Sequence, residues 1–125
     1  MRNLIVVTVL ALLSGCSKSE SVTAGGKPVE YWFEALHSPD AKVRKTAAIK
    51  LGHVGPENPA VLSALIAALQ DADAEVRCAA ILALASFGKA GRDAMPALEE
   101  LQRNDRNSRV RDYAARALAA MTRPQ

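Results

Sequence analysis

The side chains that most often do chemistry are scarce in this sequence. There are two cysteines, Cys16 and Cys78, and two histidines, His37 and His53. Two cysteines cannot form a disulfide framework. Nor do they and two scattered histidines make the usual four-ligand thiolate zinc site. His37, close to Asp40, and His53 both fall near the ends of apolar-patterned segments. A helix C-terminus there interacts favourably with an imidazolium, which is a structural role. Glu99 and Glu100 are adjacent, so on a helix they diverge by roughly 100° and cannot face each other as acid and base. The chain has no Gly-rich phosphate loop, Gly-x-Ser-x-Gly elbow or His-Glu-x-x-His pair. The expectation is a non-catalytic chain with no metal, cofactor or small-molecule substrate.

Charge narrows the field further. Sixteen Lys and Arg against thirteen Asp and Glu leave a net +3, too weak to demand nucleic acid or anionic lipid. Between Leu101 and Gln125 there is a local excess of arginine: Arg103, Arg106, Arg109, Arg111, Arg116 and Arg123 against Asp105 and Asp112. That pattern reads as solvated helix faces. With 125 residues, half of them apolar, the chain can bury one modest core in a single domain.

Cys16 stands at the end of a distinctive leader. Arg2 and the amino terminus make a positive start, and Leu4 to Leu13 is apolar apart from Thr8. Ten helical residues span roughly 15 Å, about half a bilayer core, which suits a secretory leader and is short for a membrane-spanning helix. The run Leu13-Ser14-Gly15-Cys16 resembles the lipobox of bacterial lipoproteins. The resemblance implies that residues 1–15 are a signal peptide cut before Cys16, and that Cys16 carries the lipid. The product would be an exported, membrane-anchored lipoprotein. Ser17, where an Asp commonly retains such proteins at the inner membrane, favours the outer membrane if the source is Gram-negative. Residues 16–27 are polar and Gly-rich, and are expected to be a flexible tether with a span of about 17–20 Å.

The remainder repeats. Asp40 to Leu51, Asp73 to Leu84 and Asn107 to Leu118 align, with Val-Arg pairs starting at 43, 76 and 110, so the periods are 33 and 34. Each copy opens on a residue suited to cap a helix: Asp40, Asp73 or Asn107. Each continues as an apolar stripe at helical spacing. The stripes are Val43, Ala47, Leu51 and Val54; Val76, Ala80, Leu84 and Phe87; and Val110, Ala114, Leu118 and Met121. Gly55 and Gly88 follow the first two stripes, where a left-handed residue would end a helix. A second apolar helix precedes each copy, with Trp32, Leu65 and Leu98 at equivalent positions. Breakers lie at Ser38-Pro39, Gly55 to Asn58, and Gly88 to Gly91. The fold class expected is all-α, a short solenoid of three stacked antiparallel helix pairs over residues 28–55, 56–90 and 91–125. Of Tyr31-Trp32-Phe33 there are two readings: a seal over the open end of the stack, or an aromatic docking site.

The recurring Asp-x-x-Val-Arg-x-x-Ala-x-x-x-Leu run, after an Ala- and Leu-rich helix, resembles a HEAT repeat of the short bacterial kind also called PBS-lyase-like. The resemblance covers residues 28–125. In that family the motif Asp and Arg form a ladder between neighbouring repeats. Carried over, the acid falls on Asp40 and Asp73 and the base on Arg44, Arg77 and Arg111. Asn107 departs from the pattern, which puts a charged third rung in question.

One mismatch within the repeat draws attention to a surface. Cys78 matches Lys45 and Asp112, and Leu82 matches Ile49 and Arg116, so the middle copy is apolar where the others are mostly polar. Two explanations stand: flanking helices bury this face, or it is an open apolar strip. In the second case the candidate partner-binding residues are Cys78, Leu82, Ile49, Arg109, Asp112 and Arg116. The expected function is a lipid-anchored protein-binding or scaffolding module at the bacterial cell envelope. Its partners would be proteins, and the membrane through the anchor, with export excluding nucleic acid. The alternative is an accessory or lyase-type subunit acting with a chromophore or enzyme partner.

Overall fold

The computed structural model describes residues 23–124. The leader, Cys16 and the tether as far as Val22 lie outside the described residues. Among the described residues six α-helices make three antiparallel pairs: α1 (Val29–Ala35) with α2 (Ala41–Val54), α3 (Pro59–Ala68) with α4 (Ala74–Ser86), and α5 (Met95–Asn104) with α6 (Ser108–Thr122). The fold is an all-α stack of helix pairs.

Capping sets where the second helices begin. The Asp40 carboxylate accepts from the Lys42 amide at 2.9 Å, Asp73 from Glu75 at 2.8 Å, and the Asn107 side chain from Arg109 at 2.9 Å. These bonds satisfy amides that have no partner within the first turn. Asn58 does the same for α3 through Ala60 at 3.0 Å. At the far end of α4, Gly88 has φ +57°, a left-handed residue that lets the chain turn away. The Gly88 to Gly91 breaker then continues as a 3-10 turn, Gly88–Ala94, that buries Gly91 and Ala94.

The second helices lie side by side, α2 against α4 and α4 against α6, while contact among the first helices is sparser. Close approach needs small residues. Gly52 on α2 faces Ala83 on α4 so tightly that a Cβ on Gly52 would lie 2.8 Å from the Ala83 methyl. Ala47, Ala80 and Ala114, one on each second helix, are all fully buried. Leu51, Leu65, Leu69, Ile81, Leu84 and Leu98 fill the core, each burial being worth about 1.5–3 kcal/mol. Helix α4 has a neighbour on each side and buries an unbroken run from Val76 to Ile81.

The ends of the stack depart from the expected stripes. Val76 and Val110 are fully buried, but Val43, their equivalent, is 37% exposed. Among the described residues no helix pair precedes α1, and α2 is left partly open at Val43. Leu118 is likewise only partly buried where Leu51 and Leu84 are fully enclosed.

The expected tether also ends sooner than the composition implies. Thr23–Ala24 and Lys27–Pro28 pair as a two-stranded antiparallel ribbon, turned by Gly25 and Gly26 at φ +59° and +77°. Two adjacent positive φ values suit a tight hairpin turn and explain the Gly-Gly pair. The ribbon is anchored: the Trp32 indole donates to the Ala24 carbonyl at 2.8 Å, and both residues are buried. Trp32 therefore seals the stack together with this ribbon, whereas Tyr31 stays 45% exposed, edge-on to Trp32 and beneath Lys27.

Candidate functional site

Because the second helices lie side by side, the residues they turn outward form one surface. Across it runs a groove of about 370 Å³, lined by Ile49, Gly52 and His53 of α2, Cys78, Ala79, Leu82 and Ala83 of α4, and Tyr113 of α6. Its floor is apolar. Leu82 is 55% exposed and Ile49 40%, a large share for side chains of this kind.

A charged clasp closes one end. Glu75 on α4 takes the Lys45 ammonium of α2 at 3.2 Å on one oxygen and the Arg109 guanidinium of α6 on the other. Three helices are thus tied through one carboxylate. All three groups are about half exposed, so the clasp orders the rim more than it stabilises the fold. At the other end, His53 stands in the last turn of α2.

The structure brings Cys78, Leu82, Ile49 and Arg109 together in this groove. Asp112 and Arg116, exposed on α6, do not line it. Cys78 resolves the open question differently from Leu82. Its residue is only 5% exposed, so the thiol belongs to the groove floor. Burial pushes the Cys78 thiol above its ordinary pKa, and the Glu75 carboxylate adds to the shift. A nucleophilic thiolate needs the reverse environment. Lys45, Glu75, His53 and Tyr113 were not among the candidate partner-binding residues read from sequence. Glu75 matches Lys42 and Arg109 in the repeat, and that sign reversal is the one local signal of a cross-helix clasp.

The ladder is present but uses other acids. Arg77 holds Asp105 through Nε and Nη2 at 2.9 and 3.0 Å, and Arg44 holds Asp71 in the same way at 2.9 and 3.1 Å. Asp40 and Asp73, expected in this role, are instead helix caps. An Asp at a cap points into the first turn of its own helix, whereas Asp71 and Asp105 sit on the interhelix turn, facing the repeat before. Asn107 therefore breaks no rung, since its position is only a cap. Each arginine also ties down its own turn through Nη1: Arg44 to the carbonyls of Ser38 and Pro39, Arg77 to those of Asp71 and Ala72. Arg111 makes the same two carbonyl contacts, to Asp105 and Arg106. The missed signal was an Asp recurring two residues before the cap, at 71 and 105, with Ser38 at the matching place in the first copy.

Burial works against the charged forms of Asp71 and Asp105. The hydrogen bonds from Arg44 and Arg77, with the amides of Asp73 and Asn107, outweigh it and hold both carboxyls below the usual carboxylate range. Glu99 and Glu100 point to solvent, bonded to Arg103 and Asn104 respectively.

No curated protein matches this sequence. The pattern of the family described as HEAT repeats matches residues 29–119, a span that reaches into all six helices. The chain belongs to the HEAT-repeat family.

Proposed function

We propose that this protein is a non-catalytic docking module. The groove over α2, α4 and α6 takes an apolar ridge of a protein partner, and Cys16 tethers the stack by lipid to a membrane of the cell envelope. HEAT repeats generally mediate protein–protein interaction, which supports the coarse reading. The observation that carries the finer one is Leu82. It lies beside Ile49 at the centre of a shallow apolar groove with a charged rim, the usual layout of a protein-binding patch. Its side chain stays open among the described residues.

The anchor rests on the basic start, the apolar run and the Leu13-Ser14-Gly15-Cys16 sequence. Two or more acyl chains would make it stable, at about 0.8 kcal/mol per buried methylene. The test has two arms. A photo-crosslinking residue at Leu82, in cells, should capture a defined partner that a probe at exposed Arg123 does not. A Leu82→Glu variant probed from Ile49 should lose that capture while melting like the parent. Equal capture from Arg123 would move the binding surface elsewhere. For the anchor, intact mass should show a chain starting at lipid-modified Cys16, and an unmodified chain cut at another residue would exclude it.

A further inference from the structure

Among the described residues the first and last positions of the ladder differ. At the first copy, where no arginine precedes among the described residues, the turn position carries Ser38 rather than an acid, and its hydroxyl accepts from the Asp40 amide at 3.1 Å. The middle rungs are complete. At the last copy, Arg111 is held by its own turn, at 2.7 Å to the Asp105 carbonyl and 3.3 Å to that of Arg106, just as Arg44 and Arg77 are held by theirs. Its Nε–Nη2 edge meets no carboxylate among the described residues. Residues 123–125 do not reach it: Arg111 lies in the first turns of α6, roughly 16 Å of helix before Thr122, and those three residues span about 10 Å at most.

A guanidinium edge fixed by two carbonyls loses little freedom on gripping a carboxylate, and that geometry is bidentate. The two inner rungs show which carboxylate fits: an Asp on an interhelix turn, two residues before the cap of the helix that follows. Further along the same pair, a surface around partly buried Leu118 and Met95 carries Glu99, Gln102, Arg103 and Thr122. It is too polar to need permanent cover, yet apolar enough at its centre to seat a helix.

We infer that Arg111 is a vacant rung, a carboxylate-binding position that docks one more helix pair, supplied by a protein partner whose interhelix turn presents an Asp. A second copy of this chain does not suit, because Ser38 offers no charge and the Trp32-anchored ribbon packs on α1 and α2 at that end. This site is separate from the groove and stands or falls without it.

The test is nuclear magnetic resonance of the arginine Nε–H groups in the 15N-labelled protein, with the Arg111 signal assigned by Arg111→Lys. Acetate is the first probe. The Arg111 signal should move saturably, about threefold or more beyond those of exposed Arg116 and Arg123, while occupied Arg44 and Arg77 stay still. If Arg111 moves no more than Arg116, no vacant rung exists. The second probe is a synthetic peptide of residues 95–110, which presents Asp105 on its turn, beside the same peptide with Asp105→Asn. The Asp peptide should bind about tenfold tighter, read at Arg111. If both peptides bind alike, or neither binds, the helix-pair occupant is excluded and only a small-carboxylate position remains.

Discussion

The Arg77 guanidinium joins two turns at once, donating to the Asp71 and Ala72 carbonyls of its own pair and to both oxygens of Asp105 on the next. Its side chain is 11% exposed and that of Asp105 only 5%, so this rung is nearly dry. Removing one member of such a pair leaves a buried charge alone, at a cost of about 3–5 kcal/mol. Asp105→Asn should therefore lower stability by about 3 kcal/mol in denaturant unfolding. Asp73→Asn should cost only a few tenths of a kcal/mol, because Asn caps as well as Asp. Equal losses would return the ladder role to Asp73.

Acid should loosen the stack through the same rungs. Asp71 and Asp105 have folded pKa values below their unfolded ones. Their contribution is thus fully present above the unfolded carboxyl value, about 3.9, and is lost as pH falls through the folded values. Melting temperature should be flat in this respect near neutrality and drop below about pH 4. Asp71→Asn with Asp105→Asn should flatten that drop, and an unchanged acid profile would place the responsible carboxylates elsewhere.

Equivalent valines should differ by position in the stack. Val76→Asp puts an unpaired charge in a fully closed site and should cost several kcal/mol. Val43→Asp, at a site 37% exposed, should cost about 1 kcal/mol or less. Similar melting points for the two variants would contradict the end effect.

The seam between α2 and α4 gives a paired test. Gly52→Ala sets a methyl against the Ala83 methyl and should destabilise by about 1–3 kcal/mol, as overpacking does. Ala83→Gly in the same chain should recover part of the loss, because it reopens the space, even though glycine weakens helices. Additive losses in the double variant would mean that the two sites do not touch.

Cys78 should react slowly with thiol reagents in the folded protein near pH 7.5, since its thiol is buried and its pKa is raised. A cysteine placed by Leu82→Cys in a Cys78→Ala background should label far faster. Comparable rates would mean that the α4 face opens as a whole.

Much of this architecture can be read from residue type and spacing alone. Apolar residues at helical intervals, Asx caps at 40, 73 and 107, and a 33- to 34-residue period determine six helices in three pairs, because a helix and its caps are local structure. What a given face meets is not local. Val43 and Val76 share one motif, yet one is exposed and the other enclosed, because burial depends on whether a neighbouring pair lies alongside. Cys78 and Leu82 lie one helical turn apart on the same side of α4, but the packed stack encloses the thiol and leaves the leucine open. The ladder divides in the same way. The arginine could be named from the motif, while the choice of Asp105 over Asp73 came from the direction each turn faces, and the stacking of one pair on the next sets that direction.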